Sequence, residues 1–262
     1  MRIVEWNDFL KHGLPVDAGR TAMTIGVFDG MHRGHKTLIE RIIHNEYNFL
    51  PVIITFRHNL KNTGNISSFR QRIDFFDSLG AAVAIVADLT ESFRSMSGAE
   101  FLCILREQCK MGLLAVGSNF KCGHNQDTNA LKIREINAGF NIPTEIVEVL
   151  TEDGLPIGSS RIRAAVINGE IKLAQSMLGH PFTLDIRNAA IQKNDAELFL
   201  RIIIPENVMP PRGKYTALLH CAGSGRKEKT EIQIRENVIE IPLNRECGFC
   251  ECDFIEFMDP VI

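Results

Sequence analysis

Thr24-Ile-Gly-Val-Phe-Asp-Gly-Met-His-Arg-Gly-His35 runs directly into Lys36-Thr-Leu-Ile-Glu-Arg-Ile-Ile43, and the change of hydrophobic period between the two stretches decides the fold. Met23, Ile25 and Val27 alternate as in a strand entering a core, Asp29-Gly30 supplies a turn, and Leu38, Ile39, Ile42 and Ile43 recur at helical spacing. His32 and His35 therefore fall at a strand-to-helix junction. There the first-turn amides lack intrahelical partners and the helix dipole favours an anion, while Gly34 allows a bound group to approach the backbone. Imidazole N–H donors suit phosphate oxygens that gain charge during transfer. A surface turn that opens a helix can also carry Gly and His, so position decides between the readings. This motif follows the first strongly apolar strand of an α/β pattern, where ligand crevices form at strand carboxyl ends.

Outward from that junction the β-α order repeats. Leu50–Phe56 reads as a buried strand, Ser67 or Ser68 as the cap of a helix carrying Ile73, Phe75, Phe76 and Leu79, and Gly80 as its stop. Ala82–Val86, Leu113–Val116 and Thr144–Val149 are further strands, with helices ending near Cys109 and spanning Ala130–Ala138. The expected class is α/β, a doubly wound parallel sheet over residues 1–180. After Leu178-Gly-His-Pro181 the composition changes to short alternating strands separated by Gly, Pro or Asn, with Asn237 in a tight turn. Residues 181–262 are thus expected to form a smaller all-β domain, a barrel or a curled antiparallel sheet.

The 262 residues are enough for two domains at about 100–200 residues each. A net charge of −3 gives no support to a nucleic-acid binder. No stretch approaches the roughly 20 apolar residues of a membrane span, and the N-terminus lacks the apolar core of a signal peptide, so a cytoplasmic location is expected. Seven cysteines, an odd number, read as reduced thiols. Cys247, Cys250 and Cys252 with Cys221 could supply four thiolates to zinc, but the neighbouring Phe249, Phe254, Ile255 and Phe257 favour a buried strand in which small cysteines pack.

Three motifs carry a resemblance. Gly26-Val-Phe-Asp-Gly-Met-His-Arg-Gly-His35 resembles the first signature of the H-x-G-H nucleotidyltransferase superfamily, in the form found in bacterial FAD synthetases. Gly158-Ser-Ser-Arg-Ile-Arg163 resembles their S-S-T-R-I-R, with Gly158 at the first serine and Ser160 at the threonine. Val116-Gly-Ser-Asn-Phe-Lys-Cys-Gly123 is similar to their V-G-x-[DN]-F-x-F-G, with Cys122 at the second aromatic. Three motifs in order are far more specific than any one of them.

The resemblance implies adenylyl transfer from Mg-ATP to FMN, giving FAD and pyrophosphate. It implies that His32, His35, Ser160 and Arg161 are catalytic and that Gly26, Phe28, Gly34, Asn119, Ser159 and Arg163 bind ATP. Phe56, Arg57 and His58 would lie near the flavin. No protein metal ligand is expected, because magnesium on ATP is held mostly by phosphates and water. Plainer roles stand beside these: Arg163 lies two residues from Arg161 and could be a surface helix residue, Asn119 could cap a turn, and Asp29 could only fix one.

Two departures bear on the second substrate and on the C-terminal region. Arg57-His58 replaces a proline-containing loop of the family. After Pro181, Phe182-Thr-Leu-Asp-Ile-Arg-Asn has neither the glycine-rich segment nor the P-T-A-N of a riboflavin kinase barrel, although Pro210-Pro-Arg-Gly-Lys-Tyr215 resembles one of its later stretches. A shortened, kinase-deficient domain is expected. The rival readings are a nucleotidyltransferase with another phosphate acceptor and a non-catalytic flavin or nucleotide binder.

Overall fold

The computed structural model describes all residues except 18, 59–63, 188, 195–198, 204–206, 222, 224, 237, 243–251 and 261–262. Asn237, Cys247, Cys250 and the middle of the loop after His58 therefore lie outside the described residues. The chain forms two compact units, residues 1–60 with 72–156 and residues 61–71 with 157–262.

The first unit contains β1 (Arg2–Glu5), α1 (Trp6–His12), β2 (Thr21–Ile25), α2 (Arg33–Ile43), β3 (Leu50–Phe56), most of α3 (Phe69–Leu79), β4 (Val83–Ala87), α4 (Glu91–Ser95), α5 (Gly98–Gln108) and β5 (Met111–Gly117). A short β6 (Lys121–Cys122) and β7 (Thr128–Asn129) flank a 3-10 turn at His124–Gln126, before α6 (Ala130–Ala138), β8 (Thr144–Val147) and the small hairpin β9 (Thr151–Glu152) and β10 (Leu155–Pro156). Six strands pair in parallel in the order β1-β4-β3-β2-β5-β8. Ile39 and Ile42 of α2 and Phe76 of α3 cluster on one face with Ala22, Ile53 and Leu113. Phe9, Phe101, Leu105 and Ile133 from α1, α5 and α6 cluster on the other with Met23, Ile54 and Leu114. With helices on both faces the sheet is doubly wound. Covering both faces also explains why all five residues of β2 are buried, where alternation alone would bury every second one.

The second unit opens with α7 (Ser159–Ile167) and α8 (Ile171–Leu178). Next come β11 (Thr183–Asp185), β12 (Ala190–Asn194), β13 (Phe199–Ile203), β14 (Gly213–Cys221), β15 (Lys227–Arg235), β16 (Val238–Pro242) and β17 (Cys252–Pro260). All pairs are antiparallel, in the order β11-β17-β14-β15-β16-β13-β12. The composition changes at residue 181, whereas the packing boundary lies at 156/157. The two helices go with the strands because Gln175 of α8 donates from Nε2 to the Phe257 carbonyl of β17 at 2.8 Å and Phe257 N–H donates to the Phe182 carbonyl at 2.9 Å. Cys221 and Cys252 are buried and face each other across β14 and β17.

Candidate active site

β2 ends at Ile25, and Gly26 continues its ladder by donating to the Ile54 carbonyl at 3.0 Å. The chain then turns through three left-handed residues, Phe28 (φ 56°), Gly30 (φ 80°) and Met31 (φ 44°). Left-handed backbone at a large side chain costs about 1–3 kcal/mol and persists only where packing over-determines it. The packing here is a ring cluster: Phe28, 1 % exposed, meets Phe76 edge-on at 5.5 Å and His35 edge-on at 5.2 Å. Gly26 makes room for it, since a Cβ at that position would lie 3.0–3.2 Å from three atoms of the Phe28 ring.

His32 is the N-cap of α2, and its Nδ1 accepts the backbone N–H of His35 at 3.3 Å. That bond leaves the proton of a neutral His32 on Nε2, as a donor. The His32 and His35 rings stack with centroids 3.5 Å apart and planes 21° from parallel. Gly34 permits the stack: a Cβ there would stand 3.3 Å from Cε1 and Nδ1 of His32. His35 is held well below the usual imidazole pKa, first by burial, then by the neighbouring His32 and by the Arg72 guanidinium. It is neutral at pH 7, and its buried Nδ1 has no hydrogen-bond partner among the described residues.

Beside this junction lies a cavity of about 600 Å³ lined by Ile25, Gly26 and Val27 from the end of β2, Phe56 from β3, and Phe93, Phe101 and Phe120. Such a volume is within the 300–1,000 Å³ range of ligand pockets. Phe93 stands edge-on to Phe56 at 5.8 Å and to Phe101 at 5.9 Å, so the aromatic walls support one another. Lys121 and His124 add polar groups to the lining. Cys122 also lines it, and burial pushes its thiol up to about 11, which leaves a neutral, apolar wall.

The remaining expected residues fall in distinct places. Phe56 lines the cavity, Arg57 forms an ion pair with Glu5, and His58 is exposed. Asn119 is exposed in the turn after β5, while the next residue, Phe120, is the one on the cavity wall. Phe28 contributes a packing wall beneath His35. Asp29 is buried and raises the pKa of Arg72, so it does more than form a turn.

In the second unit, Gly158 is the N-cap of α7 and provides no side-chain cap, and Ser159 and Ser160 stand in the first turn. Arg161 is half-buried. Arg163 is 8 % exposed and donates from Nε to the Gly64 carbonyl at 2.8 Å, so it is not a surface helix residue.

Sequence reasoning missed Arg72, Phe93, Phe101, Phe120 and His124. For Phe120 a signal was available, because it is the aromatic of the Val116–Gly123 motif. Among the described residues there is no group of three or more His, Cys, Asp or Glu that could hold a metal, and no helix long and apolar enough to cross a membrane.

A doubly wound parallel sheet with paired histidines at the start of the helix after its central strand defines an α/β protein of the nucleotidyltransferase kind. The FAD synthetase family model matches residues 15–161, more than half of the chain, and the protein belongs to that family. Its relatives include the bifunctional riboflavin kinase/FMN adenylyltransferase of Buchnera aphidicola subsp. Schizaphis graminum, 26 % identical over 80 % of this chain and 72 % of that one. The corresponding bifunctional protein of Escherichia coli K12 is 24 % identical over 63 % of this chain, which spans only 56 % of its length. The FAD synthetase of Listeria monocytogenes is 26 % identical over 63 % of this chain and 71 % of that one. The crystal structure of a macrolide-efflux protein from Streptococcus pneumoniae, 17 % identical, matches 100 % of this chain and 91 % of its own with a TM-score of 0.83, a likeness of fold.

Proposed function

We propose that this chain is an FMN adenylyltransferase. A phosphate oxygen of FMN attacks the α-phosphorus of Mg-ATP, the new P–O bond forms as the bond to the bridging oxygen of the β-phosphate breaks, and FAD and pyrophosphate leave. One observation carries the reading: the stacked His32–His35 pair follows the same strand whose end, Ile25 to Val27, lines the aromatic-walled cavity. A flat, apolar ring system suits Phe56, Phe93 and Phe120, and the adjoining helix start suits phosphates.

Such a transfer needs in-line placement and neutralisation of charge, and no protein nucleophile. His32 offers its Nε2–H, and His35, kept neutral by burial, adds a second imidazole at the α- and β-phosphates. Gly26 and Gly34 give the rings and the substrate room. The family motif supports Ser159, Ser160 and Arg161 as contacts for the outer phosphates and Asn119 as a nucleotide contact. For Arg163, the burial of its side chain and its bond to the Gly64 carbonyl support an anchoring role in place of a direct ATP contact. Phe56 would face the flavin, with Arg57 and His58 at the rim. Magnesium would accompany ATP and, when bound, would supply neutralisation of the phosphate charge.

We also infer a division of labour in which residues 1–180 carry nucleotidyl transfer and residues 181–262 form a kinase-deficient relative of the riboflavin kinase domain. Incubation with FMN and Mg-ATP, followed by chromatography and a pyrophosphate assay, tests the first reading. FAD with equimolar pyrophosphate is expected; pyrophosphate release only with a different phosphate acceptor, or no product at all, overturns it. Riboflavin with Mg-ATP should yield no FMN, and clear turnover overturns the kinase-deficient assignment.

A further inference from the structure

Arg72 of α3 is 3 % exposed, an unusual place for a cation. Its Nη1 donates to the carbonyl oxygens of Val27 at 2.6 Å and Phe56 at 2.9 Å and to Thr55 Oγ1 at 3.3 Å, while Nη2 donates to the Arg57 carbonyl at 2.9 Å. Thr55 Oγ1 closes the network by donating to the Val27 carbonyl at 3.3 Å. Val27 lies in the loop that leads to His32, and Phe56 and Arg57 lie at the end of β3. One planar group therefore grips three carbonyls from two different strand ends, and Val27 and Phe56 both line the cavity.

The carbonyl dipoles and Asp29 offset the burial. The guanidinium is pushed down only to about 10 and stays charged at neutral pH. A lysine ammonium is a point donor without the fixed fork that spans such a set of acceptors. Nothing in the sequence marks this residue, because its partners are backbone oxygens distant in the chain.

We propose that Arg72 is a positioning residue for adenylyl transfer: it fixes the spacing between the loop that carries His32 and His35 and the loop at Phe56-Arg57. This rests on the FMN adenylyltransferase reading above, in which the first loop serves ATP and the second the acceptor. Arg72 touches neither reactant. Its loss leaves each binding surface in place but lets their relative position drift, and a misplacement of about 1 Å can cost about 10²-fold in rate.

The test uses the full chain carrying Arg72→Lys and, separately, Arg72→Gln, with circular dichroism as the check of folding. The expected result is a fall in kcat for FAD formation of about 10²-fold, with the KM for ATP and for FMN each within about threefold of wild type. A kcat within twofold of wild type in a folded variant, or a loss carried by either KM, overturns the proposal. Arg72→Lys keeps the charge and the aliphatic stem and carries the test should Arg72→Gln fail to fold. Hydrogen exchange gives a readout independent of activity: amides at 26–31 and 56–58 should exchange faster in the variants than in wild type, while those of α6 do not. Unchanged exchange in those loops overturns the proposal by itself. A wild-type chain that makes no FAD sinks the functional reading, and the exchange measurement still decides whether Arg72 orders the two loops.

Discussion

The rings of His32 and His35 stack at 3.5 Å, with the backbone N–H of His35 bonded to Nδ1 of His32, so the N-cap of α2 and the second imidazole form one unit. Two imidazolium ions cannot share that spacing in a buried site without a large repulsive cost. The two rings are therefore not charged together, and His35, kept neutral by burial, stands with His32 at the helix start. Replacing His35 by Ala should remove a donor that matters most as charge builds on the phosphates. We expect kcat for FAD formation to fall about 10²–10³-fold, the 2.7–4 kcal/mol of a lost transition-state donor, with ATP affinity by calorimetry nearly unchanged. An unaltered kcat would remove His35 from the mechanism.

The same burial gives a pH signature in stability. His35 in the folded chain has a pKa well below the 6.5 of an exposed imidazole. As pH falls through 6.5 the unfolded chain takes up a proton that the folded chain refuses, so the unfolded state is favoured increasingly until the folded pKa is reached. The slope attributable to this one group approaches about 1.4 kcal/mol per pH unit. Urea titrations at pH 7.5, 6.5 and 5.5 should show stability dropping with pH. His35→Asn should flatten that drop; an equal slope in the variant would assign it to other groups.

Gly26 and Phe28 make a third case. A Cβ at position 26 would meet the Phe28 ring at 3.0–3.2 Å, and that ring is held between Phe76 and His35. Gly26→Ala should cost about 1–3 kcal/mol of stability by overpacking, read by chemical denaturation. It should also lower kcat, because the ring that moves is the one that supports His35. A variant with wild-type stability and rate would show that the loop can relax at no cost.

Much of this was legible in the residues. β3 and α6 have the bounds that the period of their apolar residues indicates, and Ser68 caps α3, accepting from the Gln71 N–H at 3.0 Å while its own N–H donates to the Gln71 side chain. β11 escaped notice because three residues carry no period, and β12 because Ala190–Asn194 has no apolar alternation. Phe28 reads as a ligand contact in a motif but turns inward, since its left-handed backbone points the ring at Phe76. Arg72 looks like any polar residue of an amphipathic helix until its carbonyl partners, 15 to 45 residues away in sequence, come together in three dimensions. Periodicity reports which face is buried; it does not report which buried group holds two loops at a fixed distance.

The two arginines of the second signature should separate in their effects. Arg163 is buried and bonded through Nε to the Gly64 carbonyl, whereas Arg161 is half-buried in the first turn of α7. Removing the buried Arg163 side chain deletes its charge-assisted hydrogen bond to the Gly64 carbonyl, at a cost of about 1.5–3 kcal/mol. Arg163→Ala should therefore lower the denaturation midpoint while the KM for ATP, measured on the folded fraction, stays within about twofold of wild type. Arg161→Ala, at a half-buried position, should cost less stability than Arg163→Ala. Its effect should be a rise in the KM for ATP with a loss of kcat, since a guanidinium fork on phosphate is among the stronger polar contacts. The reverse pattern, stability lost at residue 161 and ATP affinity lost at residue 163, would exchange their roles.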